Sequence, residues 1–223
     1  MKKIKAVIFD MDGLLVDSEV IARKCMRRGA ENQSLPFDDE FYELFLGCND
    51  EMSEKILYDR YQDEKKVKAI MSDFEILAAQ EYENGNVHLK NGCKEIIDYL
   101  QKIKLPFALA TGSSYKYVEM NFLNNGYKQV PFDYVITGDR ITNSKPDPEI
   151  FLKAADLMDQ DIRDCLIVED SPKGLEAAKI SGAQSCFIPD LVKNQEMIQM
   201  ADFYRENLLD TIDLIKELIE LEG

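Results

Sequence analysis

Two aspartates separated by one residue, Asp10 and Asp12, are the first candidates for chemistry in this chain. They follow the apolar run Ala6 to Phe9, which is typical of a strand buried on both faces, and Gly13 then allows a sharp turn. Two carboxylates at the end of a buried strand repel each other and lose hydration unless a cation or a proton is present. This stretch alone is equally compatible with a solvated acidic turn, so other parts of the chain must decide.

Complementary polar groups follow other apolar runs. Thr111-Gly112-Ser113 comes directly after the second apolar run, and Glu169-Asp170 comes directly after the fourth. Lys145 lies in the loop between the third and the fourth run. The carboxyl ends of parallel strands meet at one edge of a sheet, where ligands bind in open α/β folds. We therefore expect these groups to converge with the two aspartates.

The chemistry of such a cluster would be phosphoryl transfer. Paired carboxylates without His or Cys favour a hard cation, for which we predict Mg²⁺. Thr111, the backbone N–H groups of Gly112 and Ser113, and Lys145 would hold the phosphoryl oxygens. An aspartate could attack phosphorus to give an aspartyl-phosphate, while a second carboxylic acid would protonate the departing alkoxide and later activate water.

Five short apolar runs alternate with helical patterns over most of the chain. This alternation predicts an α/β fold with a Rossmann-like, doubly wound parallel sheet. The predicted strands are Ala6 to Phe9, Pro106 to Ala110, Tyr134 to Thr137, Cys165 to Val168 and Ser185 to Ile188.

Residues 18–83 carry helical periodicity and no strand signal, and the turn-prone Asn84-Gly85-Asn86 closes the segment 18–87. We predict that this segment is an inserted all-helical cap domain, and that residues 1–17 and 88–223 form the catalytic core. Hinges at 16–18 and 85–87 should let the cap close over the site and exclude water.

Composition limits the partners and the compartment. The net charge is −15, with 42 acidic and 27 basic residues and no basic cluster, so nucleic acid and anionic membranes are poor partners. The five cysteines are widely spaced and there is one histidine, His88, which excludes a His-rich metal site and favours reduced thiols in a cytoplasm. The apolar run near the start of the sequence is too short to be a signal peptide or a membrane span. We expect a cytoplasmic monomer acting on a small phosphorylated metabolite.

The motifs resemble, in order, those of the haloacid dehalogenase (HAD)-like hydrolase superfamily. The residues that carry the resemblance are Asp10-Met11-Asp12-Gly13, Thr111-Gly112-Ser113, Lys145-Pro146-Asp147 and Glu169-Asp170. The stretches Phe107 to Thr111 and Lys145 to Phe151 are similar to the β-phosphoglucomutase-like and phosphatase branch, and the helical segment resembles that superfamily's cap.

This resemblance implies roles for individual residues. Asp10 would be the nucleophile and Asp12 the general acid and base. Mg²⁺ would be held by the Asp10 carboxylate, the backbone carbonyl of Asp12, Asp170 and Glu169. The implied activity is Mg²⁺-dependent hydrolysis of a small phosphate monoester, a sugar phosphate or a nucleotide-like compound, through an aspartyl-phosphate.

A phosphomutase of the β-phosphoglucomutase type is the main alternative. Such enzymes are expected to bind a second phosphate with a Lys and an Arg flanking a cap-loop glycine, and to carry a His in the first cap helix. The similar loop here, Leu46 to Asp50, has Leu and Asp in those places, and Ala22 stands where the His would be. Lys55 or Arg60 could substitute if the alignment slips, but charge complementarity favours the phosphatase.

A non-catalytic, receiver-like phosphate sensor is a second alternative, because it also uses acids, a hydroxyl, a Lys and Mg²⁺. A receiver has adjacent acids after its first strand and lacks a helical insert, whereas this chain has Asp-x-Asp and residues 18–87. The enzyme is therefore favoured. In the cap, Asn49 and Asp50 are the candidate substrate contacts.

Overall fold

A parallel β-sheet lies at the centre of the protein in a computed structural model, which describes residues 2–46, 48, 50–191 and 195–220. The described residues form six strands: β1 (Ala6–Phe9), β2 (Phe107–Ala110), β3 (Tyr134–Ile136), β4 (Cys165–Glu169), β5 (Gln184–Phe187) and β6 (Phe203–Tyr204). Their order in the sheet is β3-β2-β1-β4-β5-β6, with all neighbours parallel. The predicted α/β class with a Rossmann-like sheet is confirmed.

The register of the central strands aligns their carboxyl ends. Phe9 of β1 pairs with Leu109 of β2 on one side and with Val168 of β4 on the other. The residues that follow these three strands are therefore neighbours at one edge of the sheet.

Ten α-helices are found in the described residues. Between β1 and β2 lie α1 (Ser18–Asn32), α2 (Asp39–Tyr42), α3 (Asp50–Tyr61), α4 (Glu64–Glu83) and α5 (Cys93–Ile103). The later helices are α6 (Tyr115–Asn124), α7 (Glu149–Leu157), α8 (Pro172–Ser181), α9 (Gln195–Met200) and α10 (Leu208–Glu220). No helix in the described part of the chain is both long and apolar enough to cross a bilayer.

Alternate residues of β1 face opposite layers of helices, as the two-residue period of a strand requires. Val7 and Phe9 belong to a buried cluster that includes apolar residues of α5, α6 and α10. Ala6 and Ile8 belong to a second cluster that includes residues of α7 and α8. Both faces of β1 are thus buried, which is why its sequence is apolar throughout.

Helices α1 to α4 share an apolar cluster of their own, which contains Met26, Phe41, Leu57 and Ile70 among other residues. Helix α1 packs closely on α4 at Gly29, where an added Cβ would lie 3.0 Å from the carbonyl oxygen of Ile70. These helices therefore have a core separate from the two that flank the sheet.

The predicted second, third and fourth strands differ from the observed ones by one residue at one end, and two larger corrections concern the sheet beyond β4. The prediction of five strands was wrong because β6 has only two residues, which is too short to stand out as an apolar run. The fifth strand is Gln184–Phe187, one residue earlier than predicted.

Candidate active site

The predicted motifs converge at the carboxyl edge of the sheet. Asp10 follows β1, Thr111 follows β2, and Asp170 follows β4. The backbone N–H of Asp10 donates to the Val168 carbonyl at 3.1 Å, which extends the β1–β4 pairing by one residue. The sheet itself thus fixes the position of the Asp10 backbone.

Lys145 reaches this edge from the loop after β3. Its Nζ lies 2.5 Å from Asp10 Oδ1 and 2.5 Å from Glu169 Oε1. The side chains of Lys145, Asp10 and Glu169 are 11%, 9% and 0% exposed. Burial lowers the pKa of the Lys145 ammonium, but the two carboxylates outweigh burial and raise this pKa above its ordinary value. Lys145 is therefore a cation at neutral pH.

The acids outnumber this single ammonium. Burial raises the pKa of Asp10 to about 8, Lys145 opposes that rise, and the charges of Glu169 and Asp12 add to it. Burial, together with Glu169 and Asp10, also raises the pKa of Asp170 well above its ordinary value. These shifts indicate a site with an excess of negative charge that a further cation would relieve.

Three carboxylates fit a divalent metal ion. Carboxylate oxygens of Asp10, Glu169 and Asp170 all lie within 4.8 Å of one another. Asp170 Oδ1 is buried and has no hydrogen-bond partner among the described residues. An all-oxygen donor set with an unsatisfied buried carboxylate suits a hard cation such as Mg²⁺.

Two glycines make room for these carboxylates. An added Cβ at Gly13, which has a φ of +80°, would overlap the Asp170 carboxylate. An added Cβ at Gly174, in the first turn of α8, would overlap the Glu169 carboxyl group. The Glu169 carboxylate is also held by its Oε2, which accepts from the backbone N–H groups of Asp170 and Ser171 at 3.0 and 3.1 Å. The close approach of backbone to carboxylate is thus built into the chain.

Asp12 has different partners from Asp10. Its Oδ1 accepts from Ser18 Oγ at 2.8 Å, and its Oδ2 accepts from Thr111 Oγ1 at 2.9 Å and from Ser113 Oγ at 2.7 Å. Asp12 is therefore bound by three hydroxyl groups, whereas Asp10 is bound by an ammonium.

The predicted phosphate-binding turn lies beside Asp12. Thr111 is fully buried, and its Oγ1 accepts from the backbone N–H of Ser113 at 3.0 Å. Gly112 and Ser113 line the cavity described below, together with Lys145. The sequence placed these groups at the site, but it did not indicate that the two hydroxyls bind Asp12.

A cavity of about 710 Å³ separates this edge from helices α1 to α4. Asp10, Asp12, Lys145 and Asp170 line one end, and residues of α1, α3 and α4 line the other. The cavity is large enough for a small organic phosphate.

The cap residues considered from sequence divide into three groups. Asp50 is exposed and lines the cavity at the start of α3, and Ala22 also lines it. Asn49 lies outside the described residues. Lys55 and Arg60 do not line the cavity, and Arg60 instead donates to Asp38 at 3.1 Å and stacks on Phe41. Neither Lys55 nor Arg60 therefore supplies a cation to the cavity wall.

Two charged residues had no sequence signal: Glu19, which lines the cavity, and Lys90, which pairs with the lining residue Asp190. Glu19 lies in the first turn of α1, and its Oε2 accepts from the Tyr42 hydroxyl at 2.6 Å. Burial raises the pKa of Glu19 to about 7, and the Tyr42 hydrogen bond opposes that rise. Lys90 forms an ion pair with Asp190 and donates to the Gly13 carbonyl oxygen at 2.7 Å. A charged residue in an amphipathic helix or loop reads as a surface residue, so only the packing of α1 to α4 over the sheet reveals Glu19.

Comparison with known proteins decides the family. The model of the haloacid dehalogenase-like hydrolase family matches residues 7–188, which span all four motifs. The chain belongs to this family. Family membership confirms the resemblance seen in the motifs and favours the hydrolase over the receiver-like sensor.

Two curated relatives of this HAD-like hydrolase are named as phosphatases. A probable pseudouridine-5'-phosphatase of Drosophila melanogaster is 28% identical over 220 residues, covering 94% of this chain and 92% of the relative. A phosphorylated carbohydrates phosphatase of Thermotoga maritima is 27% identical, covering 82% of this chain and 84% of the relative. Among solved structures, a beta-phosphoglucomutase from Clostridium difficile superposes with a TM-score of 0.80 at 20% identity, covering 97% of each chain, which shows a shared fold.

Proposed function

We propose that this HAD-like hydrolase is a Mg²⁺-dependent phosphatase that hydrolyses a small phosphate monoester through an aspartyl-phosphate on Asp10. Its relatives in Drosophila melanogaster and Thermotoga maritima are named for nucleotide-like and carbohydrate phosphates, so a sugar phosphate or a nucleotide-like compound is the expected class. The observation that carries the proposal is the different surroundings of Asp10 and Asp12.

Those surroundings separate nucleophile from acid. Asp10 lies against the Lys145 ammonium and within the carboxylate group that fits a cation, so an anionic phosphate can approach its carboxylate. Asp12 is bound only by hydroxyls in the hydrogen bonds described above, and hydroxyls can donate to a carboxylate or accept from a carboxylic acid. Asp12 can therefore exist in both protonation states without losing its position, as an acid and base must.

The carboxylates of Asp10, Glu169 and Asp170, with the backbone carbonyl of Asp12, would hold Mg²⁺. When bound, this ion would neutralise the acidic edge and the phosphoryl oxygens together. Lys145, with the turn of Gly112 and Ser113, would hold the remaining phosphoryl oxygens.

The reaction then has two halves. In the first, an Asp10 carboxylate oxygen attacks phosphorus, the bond from phosphorus to the alcohol oxygen breaks, and Asp12 gives its proton to the leaving alkoxide. In the second, Asp12 takes a proton from water, the water oxygen attacks phosphorus, and the bond to Asp10 breaks. Inorganic phosphate leaves and both aspartates return to their starting states, so atoms and protons balance.

A phosphomutase would share the first half but return the phosphoryl group to a second hydroxyl. It would need a cationic site for the second phosphate. Among the described residues that line the cavity, Lys145 is the one basic side chain, and it lies at the reacting end. Hydrolysis is therefore the better supported outcome.

We further propose that residues 18–87 act as a cap that moves on the core formed by residues 1–17 and 88–223. The two connections lie side by side: the N–H of Asp17 donates to the His88 carbonyl at 3.0 Å, and the N–H of His88 donates to Asp17 Oδ1 at 2.6 Å. Because both connecting segments lie at one place, a change in the backbone angles of a few residues there could move the whole helical segment. Small-angle scattering with Mg²⁺ and fluoroberyllate should show a smaller radius of gyration than the free protein; an unchanged profile would contradict closure.

The test of the activity is hydrolysis of p-nitrophenyl phosphate with and without Mg²⁺. Asp10→Asn should abolish hydrolysis while leaving the fold intact by circular dichroism, and acid-quenched wild-type enzyme should carry a phosphoryl group on the Asp10 peptide by mass spectrometry. Asp156→Asn, an exposed acid on α7, is the matched control and should retain activity. Full activity of Asp10→Asn would refute the nucleophile assignment.

A further inference from the structure

The cap end of the cavity is acidic. Three carboxylates from the helices opposite the reacting edge line it: Glu19 of α1, Asp50 of α3 and Glu75 of α4. The alcohol part of a substrate whose phosphate sits at Asp10 would extend towards these groups.

Few basic groups face this end, and Lys90, whose charge opposes the rise that burial causes in the pKa of Glu19, is already paired with Asp190. Among the described lining residues the one basic side chain is Lys145, which is already engaged by Asp10 and Glu169. The basic side chain of Lys173 lies nearby, with its Nζ 2.9 Å from Sγ of Cys48 on the cavity wall, but Lys173 does not line the cavity.

Apolar and aromatic side chains complete the wall. Met26, Met71 and Phe74 line it from α1 and α4. Tyr82 and Tyr117 also line it, with ring centroids 4.6 Å apart. An alcohol with an apolar or ring-shaped part would bury surface against these groups.

We propose that the substrate's alcohol part is partly apolar and carries a positive charge or neutral hydrogen-bond donors, with no second phosphate and no carboxylate. This inference rests on the proposed phosphatase function and defines its substrate class. A second anion would approach Glu19, Asp50 and Glu75 with no unpaired basic group among the described lining residues, which is unfavourable, whereas a protonated amine would find acceptors there.

Three aryl phosphates of nearly equal size test this proposal. 4-(Aminomethyl)phenyl, 4-(hydroxymethyl)phenyl and 4-(carboxymethyl)phenyl phosphate differ in the charge at the far end of the ring, and the methylene insulates the phenol oxygen. With Mg²⁺, kcat/KM should fall in that order, with the amine about tenfold or more above the carboxylate, given the strength of a charge interaction in a partly desolvated site.

Substitutions locate the origin of the preference. Glu19→Gln and Glu75→Gln should each reduce the ratio of kcat/KM for the amine to that for the carboxylate. Glu83→Gln is the matched control, because Glu83 lies on the same helix as Glu75, is exposed and does not line the cavity. It should leave the ratio unchanged.

Equal rates for the three esters, or a preference for the carboxylate, would overturn the proposal. If the enzyme preferred the carboxylate and Lys173→Met abolished that preference, the proposed selectivity would be wrong and Lys173 would form an anion site instead. Calorimetric binding of 4-hydroxybenzylamine and 4-hydroxyphenylacetate tests the charge selectivity of the cavity independently of the phosphatase activity. Tighter binding of the amine with no hydrolysis of any ester would refute the phosphatase and support the charge selectivity of the cavity.

Discussion

Lys145 Nζ lies 2.5 Å from Asp10 Oδ1, and this buried ion pair joins the loop after β3 to the end of β1. The same ammonium bonds Glu169 at the end of β4. One cation thus positions two carboxylates that would otherwise repel each other. Its removal should affect both stability and catalysis.

Lys145→Met should lower both stability and activity. The substitution keeps most of the side-chain volume but leaves buried carboxylates unpaired, which typically costs about 3–5 kcal/mol. Loss of a charged contact to the phosphoryl group should lower kcat by about 10²–10³-fold. Urea unfolding and p-nitrophenyl phosphate hydrolysis measure the two effects, and added Mg²⁺ should restore part of the stability.

Lys153→Met is the control for this prediction. Lys153 pairs with Glu149 at 2.7 Å, but its side chain is 43% exposed, so the pair is worth less than about 1 kcal/mol. Equal losses of activity in the two variants would show that Lys145 has no special role.

Asp12→Asn should slow the two half-reactions to different extents. An alkyl phosphate needs a proton for its alkoxide, so its hydrolysis should fall by about 10²–10⁴-fold. p-Nitrophenolate leaves without a proton, so phosphoryl transfer to Asp10 should still occur. Hydrolysis of the aspartyl-phosphate needs a base, so this second half-reaction should become very slow. We expect a burst of p-nitrophenol close to one equivalent per enzyme in rapid-quench experiments.

Ser18→Ala is the comparison for Asp12→Asn. It removes one of three hydrogen bonds to Asp12 but leaves the carboxyl group in place. It should lower kcat modestly and give no burst. A variant Asp12→Asn with unchanged alkyl phosphate hydrolysis would contradict the assignment of Asp12 as acid and base.

Much of the site was predictable because it depends on strand ends. Asp10, Thr111 and Glu169 each lie at or just after the end of a buried apolar run, and parallel pairing then brings them together without any further information. Lys145 was predictable as the needed cation, although its loop carries no regular pattern. The convergence of Asp10, Thr111 and Glu169 therefore follows from sheet topology, whereas the position of Lys145 depends on its loop.

The cavity's other wall was not predictable, because it depends on how helices pack across a gap. Glu19 lies among charged residues of α1 and reads as solvent-exposed until α1 and α2 bring it against Tyr42. The hydroxyls of Thr111 and Ser113 could bind phosphate or Asp12 equally well by type, and only their positions show the bonds to Asp12. Long-range side-chain contacts of this kind leave no periodic signal.

Gly13→Ala should weaken Mg²⁺ binding beyond its effect on stability. A Cβ at Gly13 would overlap the Asp170 carboxylate, and a φ of +80° strains any L-residue. Gly126→Ala is a matched control, because Gly126 has a φ of +90° with nothing within 4 Å of an added Cβ. Both variants should lose about 1 kcal/mol of stability from backbone strain.

Mg²⁺ affinity separates the two glycine variants. In calorimetric titrations, Gly13→Ala should raise the Kd by about tenfold or more, whereas Gly126→Ala should match the wild type, since a shift of one carboxylate ligand is felt directly in hard-cation sites. Equal Kd values for both variants would show that Gly13 is not needed for the placement of Asp170.

Glu19 should make the protein less stable as pH rises from about 4.5 to about 7. Burial raises the pKa of Glu19 from 4.5 to about 7 in the folded protein. Within that window the folded state holds a proton that the unfolded state has lost, so each rise in pH favours unfolding. The contribution is about 1–3 kcal/mol across the window, given about 1.4 kcal/mol per pKa unit.

Glu19→Gln tests this sign. The amide retains an acceptor for the Tyr42 hydroxyl but cannot titrate, so urea unfolding of this variant should lose less stability than the wild type between pH 4.5 and 7. Tyr42→Phe should do the opposite, because the Tyr42 hydrogen bond lowers the pKa of Glu19 and its loss would raise that pKa further. Glu83 is an exposed acid on α4, so the free energy of unfolding of Glu83→Gln should change with pH as in the wild type. If the free energy of unfolding of Glu19→Gln also changed with pH as in the wild type, Glu19 would have the same pKa in the folded and unfolded states. Its burial would then not contribute to the pH dependence of stability.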